Sequence, residues 1–157
     1  MKKIFNSNEI QFLLYLNHHL FDVQKNKTIE LGGLIYKCLQ EKKIIYSPNP
    51  LKNKNYKINI DLPVIFDNKE TEMPNLEQLL TFPIFSDDLS DIDNNKKQEV
   101  IMVIQIKTKK IMLLGEISGK KNELNQENKF IIEYISYLIQ KYLNDNKDIV
   151  NKFKYLV

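Results

Sequence analysis

The chain has 157 residues, of which 43% are hydrophobic and 27% charged, the composition of one ordinary globular domain. A net charge of +3, from 23 basic and 20 acidic residues with no arginine among them, excludes the basic footprint and guanidinium forks on which nucleic-acid recognition relies. Cys38 is the single cysteine, which excludes an internal disulfide and a cysteine-rich zinc site, and no run reaches the roughly 20 apolar residues of a membrane span.

In chain order, Ser7 to Leu20 reads as a helix, with Ser7 as N-cap and Leu13, Leu16 and Leu20 at spacings of three and four. A strand over Ile10 to Leu16 is the competing reading, because that run is short and almost wholly apolar. Asp22 to Thr28 is polar and reads as a turn. Leu31 to Lys42 reads as a helix with Leu34, Ile35, Cys38 and Leu39 on its apolar face. Ile44 to Tyr46 follows as a short strand, and Ser47-Pro48-Asn49-Pro50 breaks regular structure.

The middle of the chain is less regular. Leu51 to Asp61 is rich in Lys and Asn, Pro63 to Pro74 reads as an irregular excursion, and Leu76 to Leu80 as one helical turn. Thr81 to Phe85 reads as a strand whose Pro83 places it at a sheet edge or a bulge. Ser86 to Gln98 is a polar loop. The apolar runs Val100 to Ile106 and Ile111 to Ile117 read as strands joined by Lys107-Thr108-Lys109-Lys110, a length that suits a hairpin. The last element is a helix capped by Asn125, with Ile131, Tyr134, Ile135, Leu138 and Tyr142 expected on its packed face. Buried strands closed by a terminal helix predict an α/β (α+β) domain, a mainly antiparallel central sheet with helical cover. Residues 1–157 are expected to form one domain, with 144–157 as a docking tail.

Three patches carry a family resemblance. Gly32-Gly33-Leu34-Ile35-Tyr36-Lys37, Tyr56-Lys57-Ile58-Asn59-Ile60-Asp61, and Phe82-Pro83-Ile84 followed by Glu99 to Lys109 resemble, in this order, segments of a GAF domain, a small α/β sensor module. The resemblance runs from about Ile10 to Tyr142 and is nearest to the cyclic-nucleotide phosphodiesterase type. It implies a ligand site at Tyr56, Asp61, Thr108 and Lys109. The Asn-Lys…Phe…Asp-Glu motif of cyclic-nucleotide-binding members would fall on Thr108-Lys109, Leu124 and Asn128-Lys129. Only the lysine is kept, so tight cyclic-nucleotide binding is not expected.

The remaining polar groups suggest no reaction. His18 and His19 are adjacent and so do not face one another on a helix or strand. Cys38 lies on an apolar helix face, the usual place of a packed thiol. Asp87, Asp88, Asp91 and Asp93 lack the glycine turn and spacing of a calcium loop. Lys52, Lys54 and Lys57 alternate with polar residues as a solvated loop does. Tyrosines crowd the C-terminal end, and tyrosine is favoured at interfaces; Tyr137, Phe153 and Tyr155 are the candidate partner-binding residues.

The expectation is therefore a non-enzymatic binding or structural module within a larger protein assembly, the alternative being a small-molecule sensor that binds a cyclic nucleotide. No cofactor, metal, nucleic acid or membrane is expected, a small-molecule ligand is disfavoured, and proteins are the expected partners. The lone cysteine fits a cytoplasmic setting, and a composition rich in Lys, Asn and Ile, like that of an AT-rich protist genome, associates the chain with a cilium or the cytoskeleton.

Overall fold

A computed structural model describes residues 7–64, 77–86, 99–108, 124 and 126–154. Their strands are β1 (Ser7–Leu16), β2 (His19–Asp22), β3 (Lys27–Ile29), β4 (Ile45–Ser47), β5 (Gln78–Phe85) and β6 (Val100–Thr108). Their α-helices are α1 (Gly33–Glu41), α2 (Gln126–Asp145) and α3 (Lys147–Lys154), and a 3-10 turn spans Pro50–Lys52. The strands form one sheet in the order β3-β2-β1-β6-β5-β4, and every described pairing is antiparallel. The fold is α+β, as the sequence implies.

The two central strands explain why the chain folds this way. On β6, Met102, Ile104 and Ile106 point to one face and Val103, Gln105 and Lys107 to the other, with all six buried. Such a strand needs cover on both sides. The first face packs against α2 through Ile132 and Leu143. The second packs against α1 through Leu34, Ile35, Cys38 and Leu39, and against Ile60 and Leu62 of the loop between β4 and β5.

Four expectations change. Ser7 to Leu20 is not a helix. It is β1, a hairpin turn at Asn17-His18, where both residues have positive φ, and the start of β2. The leucine spacing that suggested a helix comes from a strand buried on both faces, with Ile10, Leu14 and Leu16 on one and Leu13 on the other. The turn expected at 22–28 is shorter, and β3 begins at Lys27; the Asp22 carboxylate accepts from the Gln24 and Lys25 N–H groups at 3.0 and 2.9 Å and fixes it. The helical turn expected at 76–80 is the start of β5, where Leu79 and Leu80 go to opposite faces. Pro83 does sit where the sheet tolerates it: β4 pairs with Leu79, Leu80 and Thr81, and among the described residues no strand pairs with Pro83 on that side of β5.

The fourth correction is a rotation of the terminal helix. Its inner face is Asn128, Ile132, Ile135, Ile139 and Leu143, whereas Tyr134, Leu138 and Tyr142 point outward. α2 carries two apolar stripes at helical spacing, and spacing alone does not choose between them. The aliphatic stripe faces the core, since turning the other one inward would bury tyrosine hydroxyls in an apolar layer.

Pro63 to Pro74 is described only to Val64. Residues 87–98, with the aspartate cluster, and the strand expected at Ile111 to Ile117 lie outside the described residues. Among the described residues no helix is long and apolar enough to cross a membrane.

Candidate functional site

The loop-covered face of the sheet concentrates buried polar side chains. The strand register puts Gln11 of β1 and Thr81 of β5 on either side of Gln105 of β6, so a polar row crosses three strands. All three side chains are buried. One step along, Lys107 pairs with Glu9 across the β1–β6 ladder.

Asp61 ties this row to α1. Its carboxylate accepts from the backbone N–H of Leu34 at 2.9 Å, of Ile35 at 3.3 Å and of Lys57 at 2.9 Å, and from Gln105 Nε2 at 3.0 Å. The first two donors are free N–H groups of the first turn of α1, where a negative charge is favoured. Burial pushes the Asp61 carboxyl above its ordinary range, and the four donors oppose that rise. Gly33 makes the approach work. Its φ is +67°, and a Cβ there would collide with the Asp61 carboxylate.

Gln105 uses both of its donors. Its Nε2 donates to Asp61 and, at 3.0 Å, to Thr81 Oγ1, while its Oε1 accepts from the Leu62 N–H at 2.8 Å. Gln11 Nε2 reaches the Ile60 carbonyl at 3.4 Å. The Lys107 ammonium donates to the Pro63 carbonyl at 2.9 Å and forms ion pairs with Glu9 at 3.2 Å and the buried Glu77 at 3.6 Å. Tyr56 braces the loop, donating its hydroxyl to the Leu62 carbonyl and accepting from the Val64 N–H, each at 3.1 Å. The loop and the sheet are thus tied to one another by hydrogen bonds and an ion pair.

Of the residues implied as a ligand site, the fold brings Tyr56 and Asp61 together in this loop. Thr108 follows the alternation of β6 onto the opposite face, and Lys109 lies outside the described residues. Gln105, Lys107 and Glu77 were missed. A polar residue inside the run Val100 to Ile106 was the signal for Gln105, and one buried Gln in a strand does not say what it meets. The sequence pattern puts Lys107 in a hairpin turn and Glu77 in a helical turn, whereas Lys107 lies in β6 and Glu77 just before β5.

Other candidates are resolved locally. The Cys38 thiol is buried, donates to the Lys43 carbonyl at 3.4 Å, and is pushed far above the usual thiol range by burial and by Glu41, a setting that disfavours the thiolate. His18 Nδ1 lies 3.4 Å from Tyr15 Oη, and His19 Nδ1 lies 2.7 Å from the Asn17 carbonyl. An open cleft of about 760 Å³ lies at the other end of β6 from Asp61, lined by Tyr15, His18, Lys42, Glu99, Asn144 and Lys147 among others.

A second surface stands out on the solvent side of α2. Phe130, Tyr134, Tyr137, Leu138 and Tyr142 are all exposed there. Tyr137, expected to bind a partner, belongs to this stripe. Phe153 lies in α3 but its side chain, like all of Tyr155, is outside the described residues.

No family model matches the chain, and no curated protein matches it. Solved structures do. A type II free methionine-R-sulfoxide reductase from Thermoplasma acidophilum superposes with a TM-score of 0.56 at 14% identity, over 92% of this chain and 84% of that one. The GAF domain of a two-component sensor histidine kinase from Bacillus halodurans superposes with a TM-score of 0.51 at 16% identity, over 92% of this chain and 86% of that one. The fold is GAF-like. The reductase corrects the expectation of a non-enzyme: a fold of this plan carries catalysis in another protein, so the lack of a recognisable catalytic motif does not exclude chemistry here.

Proposed function

We propose that this chain is a GAF-like binding module of a larger protein assembly, working through the exposed face of α2. The observation that carries this reading is the row of aromatic and aliphatic side chains left in solvent by a helix whose other stripe covers the core. Contiguous apolar surface of this kind marks interaction sites, and aromatic side chains are favoured at interface centres. Residues 144–157, which include α3, supply a second docking surface. Co-purification from the native source tests the reading. The double substitution Tyr134→Lys with Tyr137→Lys is expected to lose partners that the wild type retains, with unchanged thermal unfolding, and deletion of 149–157 to weaken capture. Unaltered co-purification by the double variant would remove α2 as the working surface.

A second reading, a small-molecule sensor, is supported by the buried polar row at Gln11, Gln105 and Thr81 with Asp61, Lys107 and Glu77 beside it. In the described state these groups bond to the loop, so a ligand would enter by displacing loop contacts. Released in that way they carry both signs of charge and both hydrogen-bonding roles, which suits a small zwitterion, and one structural relative acts on free methionine sulfoxide. A ligand bound only by the folded state raises thermal stability. Thermal-shift measurements with free amino acids, methionine sulfoxide, cyclic AMP and cyclic GMP address this. The cyclic nucleotides are expected to give no shift, because Asn128-Lys129 stands where the paired acids of the binding motif would fall. A shift with any panel member that Gln105→Ala abolishes would promote the sensor reading.

A further inference from the structure

The exposed stripe of α2 is self-complementary, and we infer that its partner is a second copy of this chain, docked antiparallel across a two-fold axis at Tyr134. The inference rests on the reading of α2 as the working surface and names what covers it.

The stripe is long and nearly continuous. Phe130 is 69% exposed, Tyr134 54%, Tyr137 56%, Leu138 45% and Tyr142 59%. From Phe130 to Tyr142 it runs for about 18 Å at about 1.5 Å per residue. Large side chains of this kind present about 150–250 Å² each. With roughly half of that exposed, five of them offer at most about 500 Å² per copy, so a symmetric pair that covers the whole stripe buries up to about 1,000 Å², the lower bound for a specific interface.

Charge selects the orientation. Helical spacing places Glu127 and Lys141 on the same outer face, at opposite ends of the stripe. With two copies antiparallel and Tyr134 against its own equivalent, Phe130 meets Leu138 of the second copy and Ile131 meets its Tyr137. In the same register Glu127 meets Lys141 of the second copy, and the two-fold repeats that pairing at the other end. A parallel pairing would set Glu127 against Glu127 and Lys141 against Lys141. Like charges opposed in this way count against that alternative, while a two-fold contact needs the self-complementarity that the antiparallel register supplies.

The test reads mass and register together. An interface of this size is weak, so sedimentation equilibrium of the full chain is run at up to about 100 μM, where the mass of two chains is expected. Tyr134→Cys is expected to cross-link copies under mild oxidation, and Tyr142→Cys, which lies away from the axis, to cross-link far less; both carry the same buried Cys38. Glu127→Lys is expected to loosen the dimer about fivefold, and Glu127→Lys combined with Lys141→Glu to restore it. A one-chain mass across the whole range, or a dimer that Tyr134→Cys does not cross-link, would overturn the inference. If the chain is monomeric yet the Tyr134→Lys, Tyr137→Lys variant still loses its native partners, the second copy is wrong and the working surface stands. If that variant loses nothing, both fail.

Discussion

The two faces of the sheet solve the same burial problem in different ways. Under α2 the layer is aliphatic and aromatic, built on Leu80, Phe82, Ile84, Met102, Ile104 and Ile106; among the described residues its buried polar side chains are at element ends, at Thr108 and Asn128. Under α1 and the 49–64 loop an apolar half around Leu34, Ile35 and Val103 adjoins a polar half in which Asp61, Gln105 and Lys107 hold loop and sheet together. Apolar packing is non-directional, so its defects should scale with the volume removed. The polar half is directional: each group is satisfied only while its partners stay in place, so removing one orphans the others.

The largest effect should come from the apolar face. Phe82 is fully buried there, and Phe82→Ala is expected to lower stability by about 3–5 kcal/mol. On α2, Ile132→Ala should cost about 2–5 kcal/mol, while Leu138→Ala on the outer stripe should stay within about 0.5 kcal/mol in the monomer. Denaturant melts at low concentration check all three, and a larger loss for Leu138 than for Ile132 would reverse the assigned rotation of the helix.

The polar face should respond next. Gln105→Ala removes the acceptor of the Leu62 N–H and one donor to Asp61, and leaving a buried group unsatisfied costs about 1–3 kcal/mol. The loss should appear first as faster amide exchange at Leu62. If Leu62 stays protected, the loop is held by its apolar contacts and the contrast between the faces is smaller than drawn here. Gly33→Ala should cost a comparable or smaller amount, about 1–3 kcal/mol, since it places a side chain at positive φ and crowds the Asp61 carboxylate. Combining it with Asp61→Ala should recover the part due to crowding but not the part due to φ.

The same contrast explains what could be read from the sequence. Strand β6, helix α1 and the sheet-with-helix plan were legible because long apolar runs report burial directly. β1 was legible only as the competing reading of Ile10 to Leu16, since a strand buried on both faces has lost the alternation that separates strand from helix. The rotation of α2 was hidden because Ile132, Ile139 and Leu143 and Tyr134, Leu138 and Tyr142 form equally regular stripes. The interior polar row was hidden for a different reason. Gln11, Thr81 and Gln105 are far apart in the chain and become neighbours only through strand register, which single-residue patterns do not encode.

The smallest expected effect is a pH dependence, and it tests which force governs the polar face. Burial raises the Asp61 carboxyl above its ordinary value of 3.8, so the folded state holds that proton more tightly than the unfolded chain does. Stability contributed by this group is then fully present at pH below 3.8 and is lost as pH rises through the higher folded value. Asp61→Asn keeps an acceptor oxygen toward the Leu34 N–H and removes the titration. The difference in unfolding free energy, wild type minus Asp61→Asn, should therefore fall as pH is raised from about 3 to 7, with the other carboxylates cancelling in the subtraction. A difference that grows with pH would mean that the four donors outweigh burial and hold the carboxylate charged. The polar face would then be anchored by a charge at the start of α1, and Asp61→Asn would weaken the loop most at neutral pH.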